Sequence, residues 1–163
     1  MDVVILQAET DEHWREARRL VEAYAASLDV DLSFQQFAEE VSALPRLYAP
    51  PAGAFLLAMI GMRAVGCVGL RRFNDDTGEM KRLYTSTDVR GHGVGRQLVC
   101  AAIAAARTIG YRRVVLDTLP TMVAAQQLYA SLGFKPMAAY RFNPVAGTRY
   151  LSLDLTAIPT TDR

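Results

Sequence analysis

The chain has 163 residues, enough to bury a full hydrophobic core without disulfides or a structural metal. An apolar content of 51% with 21% charged residues excludes a disordered chain, and a net charge of +1 supplies no broad field to recruit nucleic acid or an anionic membrane. His13 and His92 are the only histidines, so no metal-ligand cluster is expected.

Cys67 and Cys100 stand in apolar surroundings and read as buried free thiols of a reducing compartment. Asp2 begins no signal-peptide pattern, and no apolar run reaches membrane-spanning length, so a soluble cytoplasmic protein is expected. The basic pairs Arg71-Arg72, Lys81-Arg82 and Arg112-Arg113 are dispersed. They read as solvated faces or as contacts to one anionic ligand.

Val3 to Gln7 reads as a first strand, and Thr10 or Asp11 caps the helix that follows. Trp14, Ala17, Val21, Tyr24, Ala25 and Leu28 recur at helical spacing and form a core stripe. Ser33-Phe34-Gln35-Gln36 has capping-box form and opens a second helix with Phe37 and Val41 on one face. Pro45, Pro50 and Pro51 then stop helix formation and make a loop.

Phe55 to Ile60 and Ala64 to Arg72 form a hairpin around Gly61-Met62-Arg63. Gly66 and Gly69 mark a bulge or a close backbone approach. Asn74 to Gly78 is a turn, and Glu79 to Thr87 completes an antiparallel meander. Leu98 to Ile109 is an apolar helix ended by Gly110, and Val114 to Leu116 is a short buried strand. Strand, helix and strand in this order make a crossover, so the two strands are parallel. A further helix runs from about Met122 to Leu132 and stops at Gly133. Phe134 to Tyr140 and Thr148 to Leu155 form a final antiparallel pair, and Ile158 to Arg163 reads as a frayed tail.

The segment Arg90-Gly91-His92-Gly93-Val94-Gly95-Arg96 joins the meander to the apolar helix. Its glycines allow a tight turn and leave main-chain N–H groups bare at the positive end of a helix, a cradle for phosphate. The P-loop pattern fails because Arg96-Gln97 is not Lys followed by Ser or Thr; Arg96 breaks the dinucleotide G-x-G-x-x-G. Arg90, Gly93 and Gly95 instead fit (Arg or Gln)-x-x-Gly-x-(Gly or Ala).

With Glu79-Met80-Lys81-Arg82-Leu83-Tyr84 ahead of this loop and Ala125-x-x-Leu128-Tyr129-x-x-Leu132-Gly133-Phe134 after it, the chain resembles the GNAT superfamily of N-acetyltransferases over nearly its whole length. The resemblance implies an α/β (α+β) single domain over residues 1–163. Its mixed, mostly antiparallel sheet of about seven strands splays between strands 4 and 5, flanked by four helices. It implies acetyl-CoA as co-substrate, with the pantetheine arm bonded to Leu83, Tyr84 and Thr85. The pyrophosphate would lie on Arg90, Gly91, His92, Gly93, Val94, Gly95 and Arg96.

Direct transfer to an amine is then expected, with a backbone N–H near Leu83 or Tyr84 holding the oxyanion. A neutral amine must be produced from one of solution pKa about 10.4, so a general base is useful. Glu79 is the first candidate, or else a surface carboxylate paired with a cation; Asp117 is the second. Tyr129 stands at the family's general-acid position, the alternative being a packing residue that bonds the pantetheine. Family members often carry Asn seven residues earlier, where this chain has Met122. His92 reads as a solvent-facing or phosphate-neighbouring side chain.

The acceptor would be bordered by the first two helices, Arg71, Tyr140 and Asn143, with Tyr48 either lining it or lying on the surface. The partner implied is a small-molecule or amino-acid amine, with no nucleic acid, no membrane, no metal and a homodimer left open. A protein acetyltransferase and a CoA-binding module without turnover are the competing readings.

Overall fold

The computed structural model describes residues 2–28, 31 and 36–156. Seven strands form one sheet: β1 (Val4–Gln7), β2 (Ala54–Ile60), β3 (Arg63–Asn74), β4 (Thr77–Thr85), β5 (Arg113–Thr118), β6 (Lys135–Pro136) and β7 (Arg149–Asp154), in the order β1-β2-β3-β4-β5-β7-β6. Five helices accompany them: α1 (Asp11–Ser27), α2 (Phe37–Ser42), α3 (Leu44–Leu47), α4 (Val94–Ile109) and α5 (Val123–Ser131). The pairing is antiparallel except between β4 and β5, as the crossover requires.

Thr10 caps α1: its hydroxyl accepts from the His13 amide at 3.1 Å, while His13 Nδ1 accepts from the Thr10 amide. Trp14, Ala17, Leu20 and Val21 put the buried face of α1 on the sheet. There they join Leu44, Tyr48, Phe55 and Leu57 in one core. The opposite face of the sheet packs on Leu98, Val99, Ala102 and Ala106 of α4, with Tyr129 and Phe134 completing a second core.

Several expectations need correction. Pro45 does not prevent helix: it sits in the first turn of the short α3, where no amide donor is needed, so the described residues hold five α-helices and not four. Helix α4 begins at Val94, at the glycine loop itself, and β4 begins at Thr77 after a two-residue turn. Strand pairing after Phe134 covers only Lys135–Pro136; Pro136 cannot donate to a ladder, and the chain leaves the sheet soon after. Cys67 is buried but Cys100 is exposed, on the side of α4 away from the Val99 and Ile103 stripe. The capping box at Ser33 and the tail from Ile158 lie outside the described residues.

One irregularity of the sheet lies at the cleft. Cys67 pairs with Tyr84 and Gly69 with Lys81, so β4 carries one more residue than β3 over this stretch. Arg82 takes up the extra length with φ 64°, a left-handed conformation that a side chain adopts only at a cost. The bulge bends β4. Consistent with that bend, β4 and β5 pair only from Thr77 to Glu79, against Arg113 to Val115, and have no ladder beyond.

Candidate active site

Where β4 and β5 part, a cleft of about 680 Å³ opens. One wall is Leu83, Tyr84 and Thr85 of β4; the other is Met122 to Ala125 and Leu128 of α5 and its approach; the floor at the outer end is the glycine loop. Past Glu79 the β4 edge that faces this cleft has no strand partner. Its main-chain groups are therefore available to an extended ligand.

Gly91 and Gly93 have φ of 84° and 78°, so the turn needs residues without a side-chain penalty. Gly93 is the N-cap of α4, and the first bond of the helix runs from the Gln97 amide to the Gly93 carbonyl at 3.1 Å. The Val94, Gly95 and Arg96 amides precede that bond and have no carbonyl of their own helix to donate to. Together with the dipole of α4 they form an anion cradle.

Arg90 donates to the Thr85 carbonyl at 3.2 Å and lies over the Tyr84 ring, while Arg96 ties α4 to α5 through Ser131 Oγ at 2.8 Å. The structure therefore brings Leu83, Tyr84, Thr85, Arg90, Gly91, Gly93, Val94, Gly95 and Arg96 to one cleft. His92 is exposed and is not part of its lining.

A narrow inner chamber of about 50 Å³ continues the cleft; Tyr24, Leu83, Met122 and Ala125 line both. Tyr129, Asp117, Lys81 and Asn143 also face this chamber. Tyr129 is 6% exposed and packs on Phe134 with ring centroids 5.6 Å apart. Burial raises its pKa above the ordinary phenol value, with Tyr24 and Asp117 adding to the effect, so the hydroxyl keeps its proton at neutral pH. Burial and the neighbouring Arg82 charge push the Lys81 ammonium down to about 8. Asn143 Nδ2 donates to Asp117 Oδ2 at 3.4 Å. Met122, at the position where the family often has Asn, reaches the Thr118 hydroxyl through its sulfur at 3.7 Å.

Glu79 does not line the chamber or the cleft. It is 1% exposed, and its carboxylate accepts from Tyr140 Oη at 2.7 Å, Arg141 at 3.0 Å and Arg71 Nε at 3.3 Å. Of the two sequence readings, the geometry matches the paired carboxylate, though a buried one and not a surface one.

Tyr48 neither lines a pocket nor lies on the surface: it is fully buried, edge-on to Phe55 at 5.3 Å. A Cβ at Gly69 would overlap its ring, which is the close approach that glycine signalled. Lys81 and Arg82 are buried, not solvated: the whole run Thr77–Arg82 of β4 is enclosed, and Arg82 lies at the bulge. Arg82 meets Glu40 of α2, a partner 42 positions away that no local pattern announced. Among the described residues no group of His, Cys, Asp or Glu is arranged to hold a metal, and no helix is long and apolar enough to cross a membrane.

The family model for GNAT acetyltransferases matches residues 12–134. An uncharacterized N-acetyltransferase of Schizosaccharomyces pombe is 37% identical over 141 residues, covering 85% of this chain and 86% of that protein. The N-acetylaspartate synthetase of Rattus norvegicus is 36% identical over 91 residues, which are 55% of this chain and 30% of that one. An acetyltransferase structure from Streptococcus agalactiae has a TM-score of 0.78 at 25% identity, covering 94% of this chain and 98% of its own. A Salmonella typhimurium protein solved with its cofactor acetyl-CoA has the same fold, with a TM-score of 0.67 at 20% identity over 99% of both chains. A family match through β4, the glycine loop and the Tyr129 helix, on a sheet parted at β4 and β5, identifies this chain as a member of the GNAT family of N-acetyltransferases.

Proposed function

We propose that this enzyme takes its acetyl group from acetyl-CoA and transfers it directly to the amine of a small molecule. The observation that carries this reading is the continuity of the cleft: the anion cradle, the unpaired β4 edge and Tyr129 follow one another along a single passage. The acetyl-CoA bound in the related Salmonella structure and the small-molecule product named in the N-acetylaspartate synthetase relative both support it.

When bound, acetyl-CoA supplies the activated thioester. The Val94, Gly95 and Arg96 amides would hold its pyrophosphate, and Gly91 and Gly93 keep side chains out of the way. Main-chain groups of Leu83 to Thr85 would orient the pantetheine, and a backbone N–H among them would stabilise the oxyanion. Tyr129 would keep its proton until the thiolate leaves, donate it to the sulfur, and regain one from the nitrogen that has formed the amide bond. Asp117, the carboxylate that faces the chamber, takes the proton of the incoming ammonium. Glu79 acts by position: it fixes Tyr140, Arg141 and Arg71 beside the chamber.

The test is release of free thiol from acetyl-CoA with a panel of small amines and with Lys-containing peptides. Turnover with one or more small amines is expected. Turnover restricted to peptides would replace this reading with a protein acetyltransferase, and tight CoA binding without any turnover would make the chain a binding module.

A further inference from the structure

Beside the chamber, on the face of the sheet that carries α2 and α3, lies a groove of about 450 Å³ lined by Arg46, Arg71, Arg72, Phe73 and Arg141, with no acidic side chain among its lining residues. Two of these arginines are held in place from behind. Arg71 and Arg141 both donate to Oε1 of Glu79, at 3.3 and 3.0 Å, and Arg141 lies over the rings of Phe73 and Tyr140. One carboxylate between two guanidinium groups leaves a positive charge uncompensated. Glu40 does not remove it: that carboxylate is engaged twice by Arg82, at 2.6 and 3.1 Å, and stands 3.9 Å from Arg71. Arg72 is paired with Asp75 at the exposed hairpin tip.

The decisive atom is Nε of Arg141. It is buried, and it has no hydrogen-bond acceptor among the described residues. A buried donor on a charged group is costly to leave unmade, and the cost disappears when an oxygen anion reaches it. The guanidinium fork suits a carboxylate, which can accept two parallel bonds.

Position links the groove to the chemistry. Arg71 pairs across the ladder with Glu79, and Lys81, two residues further along β4, faces the chamber. At a rise of about 3.3 Å per strand residue, Glu79 and Lys81 stand about 7 Å apart along the backbone of β4. That is within reach of one small molecule with an amine at one end and a carboxylate at the other.

We propose that this arginine groove is the anion subsite of the acceptor pocket, and that the acceptor is an amino acid carrying a second, side-chain carboxylate, which Arg141 and Arg71 hold while the amine enters the chamber. The inference rests on the reading of the chain as a small-molecule N-acetyltransferase and names the class of its substrate.

The experiment compares matched acceptors: aspartate against asparagine and glutamate against glutamine, each with acetyl-CoA and thiol release as the readout. The acidic member of at least one pair should have a kcat/KM about tenfold or more above its amide. Arg141→Met should collapse that ratio toward one, and Arg46→Met, at an exposed rim position where folding is not at stake, should lower it severalfold. Acetyl-CoA titration of both variants reports that they are folded. Equal use of acid and amide, or a ratio that neither variant changes, overturns the subsite. If no amine is acetylated, the functional reading fails first. The groove is then judged by calorimetric titration of glutamate into the CoA-bound protein: binding that Arg141→Met weakens about tenfold supports it, and no binding ends it.

Discussion

Glu40 of α2 and Arg82 of β4 form a buried ion pair, with Arg82 Nε donating to Oε2 at 2.6 Å and its terminal nitrogen to Oε1 at 3.1 Å. Both side chains are almost fully enclosed, at 3% and 2% exposure. Burial alone would raise the Glu40 pKa, but the hydrogen bonds and charge of Arg82 outweigh it and leave the carboxyl below its ordinary value. The pair thus secures the bulge that bends β4, and with it the mouth of the cleft.

Glu40→Ala leaves Arg82 buried without a counter-charge, and the cost of such a break is about 3–5 kcal/mol. A fall in Tm of roughly 10 °C is expected. Replacing both partners, Glu40→Leu with Arg82→Met, should cost less than Glu40→Ala alone, because no orphaned charge remains. Thermal unfolding of the three proteins checks this; a double variant less stable than Glu40→Ala would contradict it.

Tyr48 makes the opposite case. Its hydroxyl is buried with no hydrogen-bond partner among the described residues, and its ring fits the space over Gly69. Tyr48→Phe keeps the ring and removes the unsatisfied oxygen. It should raise stability by about 1 kcal/mol, read as a higher urea midpoint at unchanged slope. Destabilisation would mean that the hydroxyl has a partner in solution.

How much of this could be read in advance divides by distance along the chain. The glycine loop and the Tyr129 helix were legible because their information is local: residue spacing within ten positions fixes which groups face one way. The bulge was half legible. Gly66 marked a bulge, and β3 carries one extra residue against β2 there, with Gly66 opposite Ala58 and Ala64 opposite Met59; Gly69 marked a close approach, but not that Tyr48 fills the space over it, nor that a further bulge lies in β4 at Arg82. Arg82 and Lys81 looked like a solvated basic pair because the strand's enclosure on both faces is set by distant elements, and Glu40 is 42 residues away. Glu79 was placed on the right strand, yet its three partners come from β3 and from the irregular run after β6, which periodicity cannot align. Cys100 shows the same limit: an apolar helix context does not say which side of the helix faces out.

Lys81 gives the fold a pH signature. Its pKa falls from 10.5 to about 8 on folding, through burial first and the charge of Arg82 second. Below about pH 8 the lysine is charged in both states, and the folded state carries the whole cost of burying it. Between there and 10.5 the unfolded chain holds a proton that the folded protein has released, so stability rises with pH across that window. Lys81→Met removes this contribution. The variant should gain on the wild type by an amount on the order of 2–3 kcal/mol near neutral pH, and the gap should narrow as pH approaches 10. Urea midpoints of both proteins across the window test it; a gap independent of pH would contradict it.

Tyr129→Phe keeps the packing on Phe134 and removes only the proton. Turnover should fall about 100-fold while acetyl-CoA affinity stays within about twofold. The high pKa of the phenol also means that its ionisation should not shape the rate profile at neutral pH. Steady-state kinetics with any accepted amine, alongside CoA titration, separates the two effects. Unchanged turnover would remove Tyr129 as the acid.

Gly95 gives the most direct test of whether the main-chain cradle at the start of α4 binds the pyrophosphate of acetyl-CoA. A Cβ there meets nothing closer than Leu128 Cδ2 at 3.7 Å, so Gly95→Asp fits the fold. A carboxylate in the first turn of α4 also favours the helix dipole, so the variant should be as stable as the wild type or more so. The same charge stands in the cradle and repels the phosphates. Calorimetric titration with coenzyme A should show one site in the wild type and a loss of affinity of about 100-fold or more in a Gly95→Asp protein of unimpaired Tm. Equal affinity in the two proteins would place the nucleotide elsewhere and contradict the account.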